Sequence, residues 1–410
     1  MNVSTEAAHA MRPDIRRWIV ASACVGFGQQ LFVVLRNQFL RELGVALPLV
    51  GVVQGAGALM GVVVGAAGLW LLPRVPVAQA LRVGVVANAA GFALQVVATR
   101  PWQFVLGAAI AGGGIQLLTM SSGPFLSRRV TDHDRVRVYG LQMMAIQTGP
   151  GLLGAVLGGE LQRASASAVA SMIGGYRIAL AAGAGAAAIA LVPLRALGEA
   201  EPSSKPSGAL RMQDTRRVIA LLGPDAMIQF GSGLAVPFLQ LYLQVEHGLA
   251  PQRIGHFFGA MMLAGTVGNL AAPSITRRFG RARTLAALQA VTVLAFVGLA
   301  QAVTEAQTAT ALVLRFACAA TATPLWTGML HAAVDPRDTE AMASWRMCAQ
   351  SIAWAAGNLA AGALLDAGQE ALRWLLLIAA VVHATGAAWL LRNLAHAAAR
   401  SVKPAAARDA

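Results

Sequence analysis

The sequence predicts an all-α integral membrane protein: twelve transmembrane helices built as two pseudo-repeated six-helix bundles. Three observations predict it. The 410 residues are 57% hydrophobic and 12% charged, with a mean hydropathy of +0.61, about half the charge fraction of an ordinary soluble domain. Apolar segments of roughly 20 residues, the length that crosses a hydrocarbon core about 30 Å thick, recur from Trp18 to Arg392. The third observation is that the two halves of the chain resemble each other.

The spans are read at 18–40, 48–71, 80–98, 102–123, 138–160, 176–194, 218–244, 252–272, 284–303, 308–330, 342–365 and 372–391. The first is longer than a signal-peptide core and lacks a small-residue cleavage site, so it is read as a retained signal-anchor helix. The segment GEAEPSSKPSGALRMQDTRR at 198–217 is the one long Pro/Ser-rich polar stretch, and it straddles the midpoint. Across it, Gly44-Val45-Ala46 faces Gly248-Leu249-Ala250, Val50-Gly51 faces Ile254-Gly255, Gly55-Ala56 faces Gly259-Ala260, and Asp132 and Asp134 face Asp335 and Asp338. The organisation is a cytoplasmic N-terminus (1–17), an N-terminal bundle (18–194), a cytoplasmic central linker (195–217), a C-terminal bundle (218–392) and a cytoplasmic tail (393–410).

Orientation follows from the basic residues. Of the 32 Lys and Arg, 24 fall on the side that carries both termini, 6 on the other, and Arg36 and Arg315 inside helices. The positive-inside rule places the richer side in the cytoplasm. The net charge of +14 is therefore a topology signal, and no nucleic-acid partner is expected. The lipid bilayer is the surrounding partner, and the chain is expected to act as a monomer. Thirty arginines against two lysines, with abundant alanine, point to a GC-rich bacterial source and hence to the inner membrane. Cys24, Cys318 and Cys348 stand alone in apolar helices, and no histidine falls at i, i+3 or i+4 to another His or Cys. No metal and no cofactor is expected. No phosphate-binding loop, nucleophile elbow or suitable carboxylate pair is present either, so an enzyme is not expected.

Two further stretches carry a family resemblance. Pro273-Ser274-Ile275-Thr276-Arg277-Arg278-Phe279-Gly280-Arg281 resembles the loop signature between the eighth and ninth helices of the major facilitator superfamily, with Pro273 at the usual glycine and Arg277 at the usual acid. Gly149-Pro150-Gly151-Leu152-Leu153-Gly154 in the fifth helix is similar to the glycine-proline signature of that family's antiporters, exporters driven by inward proton flow. The likeness covers essentially the whole chain and is nearest to the drug and metabolite efflux branch. It implies alternating access to a central cavity lined by helices one, four, seven and ten. It also implies a gating loop at Arg277, Arg278, Gly280 and Arg281, and a kink at Gly149, Pro150 and Gly154. Anchoring at anionic lipid headgroups is the alternative role for Arg277 and Arg278.

Ionisable groups within hydrocarbon are costly and are functional hypotheses by default. Arg36 and Arg315 would stand on cavity helices, one in each half, and two guanidiniums could grip a carboxylate or phosphate; snorkelling to the interface is the plain alternative. Asp225, after Pro224, is the candidate proton carrier, with capping of the helix break as the alternative. Gln29, Gln30, Asn37, Gln116 and Gln229 would supply hydrogen bonds to a substrate, and Trp326 an apolar wall. His383 reads as a packing histidine. The expected function is secondary active transport, proton-coupled efflux of a small organic compound with anions among the candidates. An organic-anion uptake symporter and a non-transporting receptor or assembly factor are the alternatives.

Overall fold

The computed structural model describes residues 13–127, 129–130, 135–198, 215–332, 339–367 and 370–401; the Asp132, Asp134, Asp335 and Asp338 correspondence and most of the central linker lie outside them. The described residues form helices and no strand. A bilayer core offers no water to backbone N–H and C=O groups, so helices satisfy them internally.

Twelve rods follow in chain order: α1 (Pro13–Glu42), α2 (Leu47–Leu71), α3 (Val77–Val97), α4 (Pro101–Ser127), α5, α6 (Met172–Ile189, continued by Leu191–Arg195), α7, α8 (Pro251–Phe279), α9 (Arg281–Gln301), α10 (Glu305–Ala332), α11 (Thr339–Leu364) and α12 (Ala371–Ser401). Ten of the helices are long and apolar enough to cross a membrane by length and composition. The fifth span, expected to kink at Gly149 and Pro150, is two helices, α5a (Arg135–Met143) and α5b (Pro150–Val169), joined by a π turn over Met144–Thr148. The reason is Pro150, which has no N–H to continue the ladder. The N–H of Gly149 reaches back to Met144 O at 2.7 Å, the wider spacing of a π turn. The rod α7 is likewise interrupted: Thr215–Ala235 and Leu239–Glu246 flank a 3-10 turn at Val236–Phe238 that contains Pro237.

The sequence repeat is also a repeat of local physics. The α1–α2 and α7–α8 turns each pivot on a glycine at positive φ, Gly44 at 72° and Gly248 at 62°, where a Cβ would be strained. Gln103 accepts hydrogen bonds from the Thr99 and Arg100 N–H groups at 2.8 and 2.9 Å ahead of α4. Gln307 accepts from Val303 and Thr304 at 3.0 and 3.1 Å ahead of α10. Gly154 of α5b lies on the Phe27 backbone of α1, and Gly357 of α11 lies on the Phe230 backbone of α7.

The two halves meet through the same device. In α2 and α11, Gly51 rests against Gly362 and the Asn358 carbonyl; in α5b and α8, Gly159 rests on Pro251 and Gln252, and Gly255 on the Ala155 carbonyl. All these contacts lie toward the end where α1 and α7 finish, called here the distal end. A single apolar core spans both halves at that level, including Leu35, Phe39, Leu239, Tyr242 and Ile254. At the other end, where α1 begins and α12 finishes, each half has its own core: Trp18, Leu81, Phe125 and Leu194 in one, Leu221, Leu285, Leu330 and Leu390 in the other. Among the described residues the apolar core is therefore shared distally and divided toward the terminal end. There the arginines read as topology signals also close a helix end, since Arg17, Arg82 and Arg129 donate to the carbonyls of Ala196, Leu197 and Gly198 at 2.8, 2.9 and 3.2 Å, where α6 runs out.

At the distal corner of the C-terminal half, His247 Nε2 lies 3.2 Å from Tyr242 Oη and 3.1 Å from Thr308 Oγ1. Burial lowers its pKa from the ordinary 6.5, with Glu246 opposing the shift. A depressed histidine supports the fold above its ordinary pKa, and that support is lost as pH falls below it. Melting temperature should thus drop between pH 7.5 and pH 5.5, and His247→Gln should flatten the drop; equal slopes in the two proteins would rule the linkage out. Glycine packing gives a second expectation. Gly154→Val and Gly357→Val should each destabilise by about 1–3 kcal/mol through overpacking, read as a lowered melting temperature, whereas Gly185→Val, with no neighbour within 4 Å, should not.

Candidate functional site

A cavity of about 1230 Å³ lies between the halves. It extends from Arg36, Gln54 and Gln240, just below the distal closure, toward Gly140, Leu270 and Thr327 on the terminal side. Every interhalf contact described above lies beyond or beside its distal end, so among the described residues the cavity is closed distally and extends toward the two terminal cores. The π turn of α5 is part of its wall: Met143, Met144 and Thr148 line it, and Thr148 Oγ1 meets Thr266 Oγ1 of α8 at 2.7 Å across the halves.

Of the expected site residues, Arg36, Gln29, Gln30 and Gln116 line this cavity. Arg36 donates through an Nη to Gln54 Oε1. Its Nε is buried with no hydrogen-bond partner, and no described carboxylate pairs with it. Asn37 does not line the cavity. It is fully buried, accepts from Gln54 Nε2 at 2.9 Å and donates to the carbonyl of Pro237 in the other half. Gln240 returns the bond, donating to the carbonyl of Val33 at 2.9 Å. Asn37 and Gln240 stand at corresponding places in the repeat, so the distal closure of α1 on α7 is a reciprocal pair of amide-to-carbonyl bonds.

The structure does not bring Arg315 to Arg36. Arg315 is 5% exposed and lies off the cavity wall, its guanidinium 5.1 Å from the Phe296 ring centre and 4.7 Å from that of Phe316. The expected two-arginine clamp therefore has no geometry here, because Arg315 is turned toward α9, where cation–π contact offsets part of its desolvation. Nearby, His383 packs edge-on to Phe296 and lies 2.6 Å from Gln289 Oε1, as a packing histidine does.

Asp225 is 3% exposed, and polar groups surround its carboxylate. Trp326 Nε1 donates to one carboxylate oxygen at 2.9 Å, and Arg346 Nε and Gln350 Nε2 donate to the other, each at 2.9 Å. It holds an ion pair between α7 and α11 and caps nothing, since the helix runs unbroken past Pro224. Trp326 is thus a partner of Asp225 and no part of the cavity wall. Arg346 is inside α11 and also donates to Thr327 Oγ1 at 2.7 Å, a hydroxyl that lines the cavity. Gln229 is half-buried and outside the lining.

At the α8–α9 turn, Gly280 has φ 79° and separates the two helices. Arg277 reaches Ser274 Oγ at 3.3 Å, Arg278 lies over the Phe279 ring at 5.3 Å, and Arg281 opens α9. The acids proposed as their partners, Asp335, Asp338 and Glu340, lie outside the described side chains. The kink residues do meet: Gly149 closes the π turn, Pro150 starts α5b and Gly154 seats α1.

Sequence reading missed Gln54, Asn88, Gln240 and Asn269 as lining residues. Each is an amide in an apolar helix, and only the facing helix shows which amide looks inward. Phe92, Phe258, Met261, Met262 and Trp354 complete the apolar wall.

The family model of the Major Facilitator Superfamily matches residues 226–408, and the whole described fold agrees with it. A bacterial homolog of the human lysosomal transporter Spinster, in an inward-facing unoccupied conformation, superposes with a TM-score of 0.76 at 13% identity, covering 95% of this chain and 98% of that one. In sequence the C-terminal half resembles that superfamily, and the whole chain shares the fold of this structure. The nucleoside transporter NupG has the same fold at a TM-score of 0.71 and 13% identity over 93% of this chain and 98% of its own. The human organic anion transporter TETRAN matches at 0.64 and 14% identity over 93% of this chain and all of its own, 100%. Multidrug resistance protein MdtH of Yersinia enterocolitica and that of Yersinia pestis are each 30% identical over 131 residues, 32% of this chain and 32% of theirs. The chain thus matches these curated relatives over about a third of their length.

Breaking the Asp225–Arg346 pair leaves one charge buried and alone, a change worth about 3–5 kcal/mol. Asp225→Asn or Arg346→Gln should lower the melting temperature sharply, and the double variant should lose less than the two singles summed. Arg315→Met, which removes a charge without a carboxylate partner, should shift stability by no more than about 1 kcal/mol. Equal losses in all three would mean that Arg315 has a partner role of its own.

Proposed function

We propose that this protein is a secondary active transporter that moves a small organic compound by alternating access and exports it against inward proton flow. The observation that carries the reading is the cavity between two repeat-related halves, whose apolar core is shared distally and divided toward the terminal end among the described residues. Rocking of one half on the other about the glycine contacts exchanges which end is closed. With the basic terminal end in the cytoplasm, as the arginine distribution supports, the structure is the inward-open state of the inner membrane protein. Each chain carries both halves, so a monomer suffices.

Export is supported by the glycine-proline break in α5, which lies on the cavity wall, and by the name of the MdtH relatives, multidrug resistance proteins. Proton coupling is supported by Asp225, the one buried carboxylate among the described residues. It connects to the cavity through Arg346 and Thr327, so a proton taken up by Asp225 frees the guanidinium facing Thr327.

The test is direction. Everted vesicles with an acid lumen should accumulate a fluorescent amphiphile, and a protonophore should stop the uptake. With the membrane potential clamped at zero and one proton exchanged, each pH unit sustains at most about a tenfold solute gradient, so the plateau reads the stoichiometry. Uptake driven instead by acid outside identifies a symporter. No movement of any amphiphile by folded protein leaves the non-transporting receptor.

A further inference from the structure

Among the described residues that line the cavity, Arg36 is the one charged side chain. A guanidinium has donors and no acceptor, and this one keeps a buried Nε without a partner and has no described counter-ion. Arg315 shares the unpartnered Nε but lies on two aromatic rings away from the cavity, whereas Arg36 faces a cavity that an anion from outside the chain can enter.

The same cation sets the direction of a hydrogen-bond relay that ends on the other half. Because Arg36 only donates, Gln54 must turn its oxygen toward it. That leaves the Gln54 amino group facing Asn37, which must present its own oxygen at 2.9 Å. The Asn37 amino group is then the end that reaches the Pro237 carbonyl, exposed where the 3-10 turn interrupts α7. Each amide in such a chain polarises the next. The relay occurs in one half alone: the repeat places Leu239 where Arg36 would be and aromatic Phe257 or Phe258 where Gln54 would be.

We propose that the transported compound is an amphiphilic organic anion, bearing a carboxylate, phosphate or sulfonate, and that its binding to Arg36 releases the distal closure. The acidic group draws the guanidinium from Gln54. Gln54 is then free to turn, Asn37 loses the partner that oriented it, and the bond to Pro237 weakens, leaving the Gln240–Val33 bond to hold the closure alone. The apolar remainder of the anion lies against Phe92, Met261 and Trp354. This inference rests on the alternating-access reading and adds the charge of the cargo and the trigger.

The experiment uses the full chain in nanodiscs, with Cys24, Cys318 and Cys348 replaced and spin labels at Ala46→Cys and Ala250→Cys, exposed positions at the distal turns. Probes are matched: 4-phenylbutyrate, phenylbutyl phosphate and phenylbutane sulfonate against 4-phenylbutylamine and 4-phenylbutanamide. The anions should raise the melting temperature and lengthen the interlabel distance, and the amine and amide should not. Arg36→Gln should weaken anion binding about 10- to 100-fold, the loss of one charge-assisted bond, and remove the distance change. Gln54→Leu should lengthen the distance without ligand, still bind the anions and no longer respond to them. Opening by the amine or amide, or an anion response that persists in Arg36→Gln, overturns the anion trigger and leaves alternating access standing. An unchanged distance in Gln54→Leu overturns the relay. Distal labels that no probe moves in folded protein overturn the alternating-access reading itself, and this inference with it.

Discussion

Backbone meeting backbone at glycine is the constraint on which the rest of the structure depends. In a bilayer, lipid tails are as apolar as leucine, so helices gain little from hiding apolar side chains from one another and associate where small residues let them approach. Here such residues sit at the same places in both halves: Gly154 on Phe27 and Gly357 on Phe230 hold α1 to α5 and α7 to α11, while Gly51 on Gly362 and Gly159 on Pro251 hold the halves together. Flat glycine surfaces of this kind resist separation weakly and permit sliding. The large shared core lies at the level of these contacts and divides in two below them, and the cavity occupies the space between.

Polar groups inside this frame divide into two kinds. Asp225, Trp326, Arg346 and Gln350 form a closed set in which the carboxylate oxygens receive three donors. Such a set fixes α7, α10 and α11 to one another, and it is costly to break because either charge would be left alone. Arg36 belongs to an open set, with a donor still unused, facing the cavity at one end and the interhalf bond at the other. The contrast separates a group that stabilises one half from a group that links a ligand to the contact between halves.

Much of the fold was legible in the sequence because membrane helices obey one-dimensional rules. Length and hydropathy marked the rods from α1 to α12, the repeated Gly44 and Gly248 marked the matching turns, and Pro150 marked a break. The π turn around that break was not legible, since a proline says where a ladder fails and nothing about how the neighbouring carbonyls recover. The site was legible in part. Arg36, Gln29, Gln30 and Gln116 are polar residues on helices that line the cavity. Arg315 met the same description and points elsewhere, and Asn37 serves the closure.

By itself the sequence determined the helix number, the doubling of the design, the basic end and the positions at which ionisable groups enter the membrane, because each depends on residue type and spacing along one chain. The rotation of each helix about its own axis was decided by tertiary structure alone. That rotation turns Arg36 into the cavity and Arg315 onto Phe296, brings Arg346 to Asp225, and sets Asn37 against Pro237 across the halves. It follows from how glycine surfaces on neighbouring helices fit together, a property of pairs of helices that no single apolar segment encodes.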